Sequence, residues 1–255
     1  MKIAIIGYGR MGRMIDTVAT GKGHSIGACI DLNNQDQLSR ENLSLHDVAI
    51  EFSTPATAYG NVSRCLDAGI PVVSGTTGWT DRLDELIGRC RRENGTFLHA
   101  SNFSLGVNIL FHLNRQLAAI MNHYGQYDVR LREIHHIRKL DAPSGTALTL
   151  ARDILDEVER KKGWTLREGN PNPGNEGKDE SGSPDSHPVG DLAIEAVRAG
   201  NVAGIHEILY ESGFDSLSIR HSARDRRGFA EGAVLAAEFI NGKKGFFTMK
   251  DVLDL

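Results

Sequence analysis

The sequence predicts an α/β protein in which a doubly wound parallel sheet is followed by a second, α+β domain built on a mixed open sheet. In the N-terminal part of the chain, short β-branched runs alternate with helical stretches, and such alternation builds parallel sheets. The first run ends in a glycine-rich turn that opens a helix. Beyond residue 190, strand-like runs are separated by turns rather than helices, which indicates an antiparallel or mixed sheet.

The elements of the parallel sheet follow from the positions of the apolar runs. Each run is short, rich in β-branched residues and bounded by turn-forming residues, which is typical of a strand. These strands are predicted at residues 2–6, 24–30, 48–52, 71–74 and 96–100. A first helix is predicted at residues 13–20 and a later one at residues 107–121, near which the first domain should end.

The second part of the chain begins with a strand-like segment, residues 129–136, that leads into a Pro-Ser-Gly turn. Apolar residues at helical spacing follow Ser144, which is the expected N-cap of a helix. The remaining elements are predicted as strands at residues 192–198, 205–210 and 216–221 and a last helix at residues 229–241. Residues 169–190 are rich in Gly, Pro, Asn, Asp and Ser, so we predict a long exposed loop without a catalytic role.

Composition excludes several classes of protein. With 255 residues, the chain is long enough for two modest domains. A net charge of -4 does not supply the basic field that nucleic-acid phosphates require, so we expect no nucleic-acid partner. The three cysteines lack CxxC spacing, which predicts neither a disulfide framework nor a zinc site. No apolar run is long enough to cross a bilayer, so we expect no membrane partner and a soluble, cytoplasmic protein.

A glycine motif joins the first strand to the first helix. Its sequence is Gly7-Tyr8-Gly9-Arg10-Met11-Gly12. In such a motif the first glycine permits a tight turn, the second lets backbone amides approach a pyrophosphate, and the third allows close helix packing. Asp31 ends the next strand, where it can accept hydrogen bonds from a ribose. A turn without a ligand is the alternative, but strand, helix and acid together predict a Rossmann-type dinucleotide-binding domain.

The choice between NADH and NADPH stays open. Asp31 is followed by Leu-Asn-Asn, so no adjacent basic residue can receive a 2′-phosphate, and we expect NADH to be accepted. Arg10 or Arg13 could still reach that phosphate from the glycine turn. A solvated helix start is the alternative for both arginines.

Two further turns follow predicted strands of the same sheet. The first is Gly75-Thr76-Thr77-Gly78, and the second is Ala100-Ser101-Asn102-Phe103. Ligands of open α/β sheets bind outside the carboxyl ends of the strands, and the small residues in these turns leave room for a nicotinamide and its ribose. Ordinary connections between strands and helices are the alternative reading.

The segment 133–147 concentrates titratable groups beside a helix N-terminus. In an extended chain His135 and Lys139 project on one face and His136 on the other. No third or fourth ligand lies at a recognisable spacing, so the paired histidines predict no metal site. The turn at residues 144–146 offers amides and hydroxyls that suit a carboxylate, with simple helix capping as the alternative.

These motifs resemble the 4-hydroxy-tetrahydrodipicolinate reductase (dihydrodipicolinate reductase) family of bacterial lysine biosynthesis. The resemblance extends along the chain, and its most specific part is His-His-x-x-Lys-x-Asp-Ala-Pro-Ser-Gly-Thr-Ala at 135–147. The other matching segments are Gly-Tyr-Gly-Arg-Met-Gly-Arg at 7–13, Gly-Thr-Thr-Gly at 75–78, Ala-Ser-Asn-Phe-Ser at 100–104 and Met-Lys-Asp-Val-Leu at 249–253.

The resemblance implies a reductase that uses NADH, NADPH or both to reduce a small cyclic dicarboxylate. Position by position, it implies that His135 and Lys139 serve proton transfer. It also implies that substrate is held by His136, Ser144, Gly145, Thr146 and Arg226. Arg224 and Arg227 stay open as alternatives to Arg226, because the family's local pattern is only partly kept there.

The family's layout further implies that the last helix returns to the cofactor domain. The expected domains are residues 1–104 plus 227–255, which bind the dinucleotide, and residues 105–226, which bind substrate and form a homotetramer. Two other functions stay open. Another Rossmann oxidoreductase, such as an aspartate-type dehydrogenase, would share the first domain without residues 135–147, and a non-catalytic nicotinamide sensor would need no proton donors.

Overall fold

A computed structural model describes residues 1–169 and 190–255 of the protein. The chain divides into two compact units: Met1–Asn108 with Arg227–Leu255 form unit 1, and Ile109–Arg226 form unit 2. Apart from its two ends, the loop predicted at residues 169–190 lies outside the described residues, so its exposure and lack of a catalytic role stay predictions. No helix within the described ranges combines the length and apolar character needed to cross a membrane.

Unit 1 is built around a six-stranded sheet in which all neighbouring strands are parallel. The strands are β1 (Lys2–Ile6), β2 (Ser25–Ile30), β3 (Val48–Glu51), β4 (Val72–Ser74), β5 (Thr96–His99) and β11 (Gly245–Phe247). The helices are α1 (Arg10–Gly21), α2 (Arg40–Leu43), α3 (Pro55–Ala68), α4 (Leu83–Arg92), α7 (Arg227–Ile240) and α8 (Met249–Leu253). The strand order is β11-β5-β4-β3-β1-β2, which confirms the predicted doubly wound parallel sheet.

Helices cover both faces of this sheet, and its strands are therefore apolar on both sides. On one face, Ala49 and Val72 pack with α3 and α4. On the other, Ile50 and Val73 pack with α1 and α7. The continuous apolar runs of the sequence therefore form the core of unit 1. Fully burying one aliphatic side chain contributes about 1.5–3 kcal/mol to stability.

Helix α7 approaches the end of β5 closely because the buried positions along it are mostly small. Gly232 lies where an added Cβ would overlap the carbonyl oxygen of Phe103. The residues buried along α7 are Ala230, Gly232, Ala233, Val234, Ala236, Ala237 and Ile240. The C-terminal part of the chain is therefore an integral layer of unit 1.

Unit 2 contains a five-stranded mixed sheet. Helix α5 (Leu105–Asn122) begins in unit 1 and continues into unit 2. The other elements are β6 (Asp128–His135), α6 (Gly145–Glu157), β7 (Gly163–Glu168), β8 (Asp191–Arg198), β9 (Gly204–Glu211) and β10 (Ser216–Ala223). The strand order is β10-β9-β6-β8-β7; β8 is parallel to β6 and β7, whereas β9 is antiparallel to β6 and β10. This arrangement confirms the predicted mixed sheet.

One face of the unit 2 sheet packs against helices and continues into a polar cluster. Side chains alternate across a strand, and every second residue of β6 from Val129 onward is buried. Val129 and Leu131 belong to an apolar core with Ile154 of α6. Glu133 and His135 lie on the same buried face. The C-terminal end of β6 therefore places two polar side chains next to the apolar core.

Four elements differ from the sequence predictions. Strand β7 was not predicted, because its short sequence Gly-Trp-Thr-Leu-Arg-Glu mixes polar and apolar residues. Among the described strands, β7 pairs only with β8. Strand β11 has three residues and helix α8 five, too few to produce a clear periodicity. Helix α1 begins at Arg10 rather than residue 13, since Gly9 is its N-cap and Gly12 lies inside it.

The close approach at Gly232 gives a testable prediction. Replacing Gly232 by Ala should lower the free energy of unfolding by about 1–3 kcal/mol, because the new methyl group has no space beside Phe103. The matched control is Gly60→Ala in α3, where, apart from the adjacent backbone of α3, no atom of the described residues lies within 4 Å of the added carbon; helix propensity predicts a gain of about 0.5–1 kcal/mol. Thermal and urea unfolding measure both variants. Equal stability of the Gly232 variant and the natural protein would contradict this packing.

Candidate active site

The glycine turn of unit 1 leads from β1 directly into α1. Gly7 has a φ of 92°, a backbone conformation that side chains disfavour, and its amide donates to the carbonyl oxygen of Ile30 at 2.7 Å. A Cβ on Gly12 would overlap the carbonyl oxygen of Gly7. By contrast, the space beside Gly9 is open. Gly9 caps α1 without a side-chain hydrogen bond, so the amides at this terminus suit an anionic group such as a pyrophosphate.

A crevice of unit 1 lies at the carboxyl ends of β1, β2 and β3. It brings together three residues that the sequence predicted: Gly7, Gly9 and Asp31. Its other lining residues are Ile6, Ile30, Leu32, Gln35, Leu38, Phe52, Ser53, Thr54, Thr57 and Asn61. No lysine or arginine lines this crevice among the residues that the structure describes. The segment 52–61 was missed by sequence reasoning, although it directly follows a predicted strand.

The residues flanking the glycines are held by their own contacts. The Tyr8 hydroxyl donates to Asp16, which raises the pKa of Tyr8 to about 12. The Arg13 guanidinium lies over the Tyr8 ring at 5.0 Å from its centroid. Arg10 is exposed and Met11 half-buried at the start of α1. Tyr8 and these helix residues do not line the crevice themselves.

A buried carboxylate, Glu51, organises the two turns next to the crevice. It accepts hydrogen bonds from the hydroxyls of Ser53, of Ser74 at 2.6 Å and of Thr76 at 2.9 Å. The Ser53 amide donates to both Glu51, at 3.0 Å, and Thr76, at 2.8 Å. Sequence reasoning missed Glu51, whose only signal was a charge at the end of an apolar run.

The predicted nicotinamide turns lie at the ends of β4 and β5. A Cβ on Gly75 would overlap the Phe52 ring, and that ring packs on Phe103 with centroids 5.5 Å apart. Asn102 accepts a hydrogen bond from the Ser104 amide at 2.9 Å. Thr77 and Ser101 are exposed, and Ala100 is half-buried. These turns do not line the crevice that contains Asp31, but the parallel strands place them at the same edge of the sheet.

In unit 2, strand β6 ends at His135, and the chain returns to the sheet at the start of α6. The N-cap of α6 is Ser144, whose Oγ accepts from the Ala147 amide at 3.2 Å. Gly145 is exposed, with open space around its missing side chain, and Thr146 follows it, half-buried. The first turn of α6 carries no acidic residue, so its positive dipole end is suited to an anion.

Glu133 lies fully buried beneath this helix start. Both of its carboxylate oxygens accept from the Ser144 amide at 3.2 Å. His206 of β9 lies directly opposite Glu133 in the sheet, with Nε2 3.7 Å from Oε2. Burial alone would raise the pKa of Glu133, but the contacts with His206, Ser144 and His135 outweigh it and lower that pKa to about 2. The carboxylate is therefore ionised at neutral pH.

His135 lies next to Glu133 on the same face of β6. Its Nδ1 is 3.6 Å from Oε2 of Glu133, and its ring meets that of His206 edge-on with centroids 5.1 Å apart. Burial is the largest influence and lowers the pKa of His135 to about 4, although the Glu133 charge acts in the opposite direction. In this environment His135 is neutral at pH 7.

Lys139 is placed by the loop that follows β6. Its ammonium contacts both oxygens of Asp141, at 2.7 and 2.8 Å. Arg198 of β8 supports the same loop, because it donates to the carbonyl oxygens of Lys139 at 3.3 Å and of Asp141 at 2.6 Å. Another nitrogen of Arg198 lies 3.5 Å from Glu133. Arg198 and His206 were both missed by sequence reasoning.

The donor atoms of Glu133, His135 and His206 lie within 4.8 Å of one another, which raises the question of a metal ion. The carboxylate already accepts from the Ser144 amide and has the Arg198 cation beside it. A divalent cation would have to share this charge with Arg198. The arrangement is better explained as a hydrogen-bonded, charge-balanced cluster.

The remaining substrate-site predictions are placed less specifically. His136 is half-buried, and its buried Nδ1 has no hydrogen-bond partner among the residues that the structure describes. Arg226 is exposed, and so are Arg224 and Arg227, so burial does not decide among the three arginines.

Sequence comparisons give matches over both units. The family described as Dihydrodipicolinate reductase, N-terminus, matches residues 1–103, and Dihydrodipicolinate reductase, C-terminus, matches residues 106–253. The 4-hydroxy-tetrahydrodipicolinate reductase of Christiangramia forsetii is 44% identical over 255 residues, covering 99% of this chain and 98% of that protein. The Neisseria meningitidis protein of the same name is 34% identical, covering 100% of this chain and 98% of that protein.

Solved structures share the fold. The dipicolinate-bound dihydrodipicolinate reductase from Paenisporosarcina sp. TG-14 has a TM-score of 0.74 and 24% identity, with 97% of each chain covered. An engineered D-amino acid dehydrogenase bound to NADP+ has a TM-score of 0.52 and 14% identity, covering 97% of this chain and 92% of that one. The structural likeness concerns the fold, whereas the sequence matches span nearly the whole length of the relatives. The chain belongs to the dihydrodipicolinate reductase family.

Proposed function

We propose that this chain reduces 4-hydroxy-tetrahydrodipicolinate (dihydrodipicolinate) to tetrahydrodipicolinate with NADH or NADPH, in the diaminopimelate route of lysine biosynthesis. Membership of the family makes it an oxidoreductase. One observation of the structure supports the proposal most directly. The start of α6, which suits an anion, is joined through buried Glu133 to His135, and the segment 135–139 bears groups suited to proton transfer.

The residues of unit 1 fit a nicotinamide cofactor, which supplies a hydride when bound. The open space beside Gly9 and the uncapped start of α1 suit the pyrophosphate. Asp31, which lines the crevice, suits the ribose hydroxyls. The predicted roles for Tyr8, Arg10, Met11 and the turns at 75–77 and 100–103 are part of this proposal.

The residues of unit 2 suit a dicarboxylate, whose two negative charges must both be balanced. We assign one carboxylate to the start of α6. Residues proposed to bind there are Ser144, Gly145 and Thr146. His136 and Arg226 are the proposed partners of the remaining negative charge, with Arg224 and Arg227 as the alternatives to Arg226.

The reaction requires one proton for each hydride. Loss of water from the substrate gives a conjugated imine; the hydride adds to the ring carbon remote from nitrogen, and a proton is added alongside. Lys139 donates from Nζ to both carboxylate oxygens of Asp141. His135 is neutral at pH 7, and an arriving dicarboxylate would raise its pKa. We assign the delivery of this proton to Lys139 or His135.

Assembly and location complete the proposal. A homotetramer formed through the unit 2 sheet is supported by the large apolar side chains that it exposes: Trp164 and Leu166 on β7 and Leu217 on β10 are each more than two-fifths exposed. The cytoplasm is the proposed location, because that is where the substrate and reduced cofactor of such a biosynthetic step are expected.

The proposed activity is tested by NADH or NADPH oxidation at 340 nm. The condensation product of aspartate semialdehyde and pyruvate should be reduced, whereas oxaloacetate with ammonia should not. An aspartate-type dehydrogenase would give the opposite result. A nicotinamide sensor would bind NADH in fluorescence titrations and oxidise it with neither substrate.

Cofactor preference is the second prediction from this site. NADH should be used with a kcat/KM within about a hundredfold of that for NADPH, which corresponds to roughly 2.8 kcal/mol. The reason is that Asp31 lines the crevice, and no basic residue among the described lining residues is present to receive a 2′-phosphate. Steady-state kinetics with both cofactors provide the measurement. A larger preference for NADPH would show that Arg10 or Arg13 reaches the 2′-phosphate.

Removing the proposed proton-transfer groups is the third prediction. Lys139→Ala and His135→Ala should each lower kcat by roughly a hundredfold to ten-thousandfold, the range for loss of a general acid or base. NADH affinity, measured by fluorescence, should stay close to that of the natural protein. The matched control is Lys162→Ala, which removes an exposed lysine of the same unit. Near-normal turnover of the Lys139 variant together with loss of NADH affinity would place this segment in the cofactor site instead.

A further inference from the structure

The buried Glu133 contacts two parts of unit 2 that the proposed function separates into substrate binding and proton transfer. Its oxygens reach the Ser144 amide, at the start of α6, and one of them lies 3.6 Å from Nδ1 of His135. The carboxylate itself is fully buried. Glu133 therefore contacts Ser144 and His135 from the interior of unit 2 and cannot itself contact a ligand in solvent.

The contact with Ser144 fixes the direction of the α6 terminus. An amide that donates to a rigid buried carboxylate has a defined orientation. This orientation also restricts those of the amides of the next two residues. His206 adds a second constraint, because its Nε2 is 3.2 Å from the Ser144 hydroxyl. That hydroxyl in turn accepts from the Ala147 amide. The turn is held through both its backbone and its side chain.

The contact with His135 acts on the hydrogen position of the ring. The imidazole is neutral, so only one nitrogen carries a hydrogen. At 3.6 Å the Glu133 carboxylate is beyond hydrogen-bond distance of Nδ1, so it acts through its charge, which favours the tautomer with hydrogen on Nδ1 and a lone pair on Nε2. The charged and titratable groups around Glu133 are His135, Lys139, Asp141, Arg198 and His206.

We infer that Glu133 is a positioning residue of the proposed site, which orients the Ser144–Thr146 turn for a carboxylate ligand and sets the tautomer of His135. His206 supports it by holding the Ser144 hydroxyl. The inference rests on the proposed function for the identity of the ligand, whereas the two structural effects do not depend on catalysis. A single buried group would thereby couple substrate binding to the proton-transfer residues.

The test uses the full chain with NADH bound, and dipicolinate as a non-reacting dicarboxylate probe. Glu133→Gln keeps the size of the side chain and removes its charge. It should weaken dipicolinate binding in calorimetry by at least about tenfold, since a buried donor loses its best acceptor. Nitrogen-15 shifts of the His135 ring at pH 7 should move towards the tautomer with hydrogen on Nε2. NADH affinity should change by less than about twofold.

Glu133→Asp tests the effect of a shorter side chain while the negative charge is retained. It retains the carboxylate but draws it back from Ser144, so dipicolinate binding should weaken while the His135 shifts stay nearer to those of the natural protein. The matched control is Glu211→Gln, which removes an exposed carboxylate from β9 of the same sheet and should change neither readout. If Glu133→Gln fails to fold, Glu133→Asp and His206→Asn carry the test, and His206→Asn should also weaken dipicolinate binding.

Unchanged dipicolinate affinity and unchanged His135 shifts in a folded Glu133→Gln protein would overturn the inference. A variant that loses stability and NADH affinity together, with normal dipicolinate binding in Glu133→Asp and His206→Asn, would show a merely structural role. Failure of the proposed function has a different signature. In that case the natural protein would not oxidise NADH with the condensation product, whatever the His135 tautomer in the variants.

Discussion

A carboxylate removed from water must be surrounded by hydrogen-bond donors or cations, and this requirement shapes unit 2 around Glu133. Leaving such a charge without partners costs several kcal/mol. The partners come from separate elements: Ser144 from the start of α6, His206 from β9 and Arg198 from β8. Arg198 also holds the loop that bears Lys139. The contacts that stabilise the Glu133 charge therefore also hold the proposed catalytic and substrate-binding segments of unit 2 in place.

In unit 1, hydroxyl groups donate hydrogen bonds to another buried carboxylate, that of Glu51. Glu51 ends β3 as Glu133 nearly ends β6, and both point into the protein. Its donors are Ser53, Ser74 and Thr76, neutral groups on two neighbouring connections of the sheet. These hydroxyl donors join the ends of β3 and β4 around one buried carboxylate.

The sequence was sufficient for the sheet types and for residues whose chemistry is local. Gly7 and Gly12 are recognisable because their roles depend on the adjoining turn and helix. His135 and Lys139 belong to one contiguous motif, and their role in proton transfer stays a prediction. Glu133, His206 and Arg198 could not be grouped in this way. Their association depends on register: Glu133 lies opposite His206 and His135 opposite Arg198, across separations in sequence that no local pattern reports.

The return of α7 and β11 to unit 1 has a consequence for biosynthesis of the chain. During translation, the first 108 residues emerge long before α7, which supplies much of one face of their core. Until then α7 does not yet pack on the face of the core that contains Ile50 and Val73. Strand β5 likewise lacks its pairing with β11. Exposed apolar surface and unpaired edges attract other chains. Residues 1–108 by themselves would therefore expose the surface and the sheet edge that α7 and β11 cover in the folded protein.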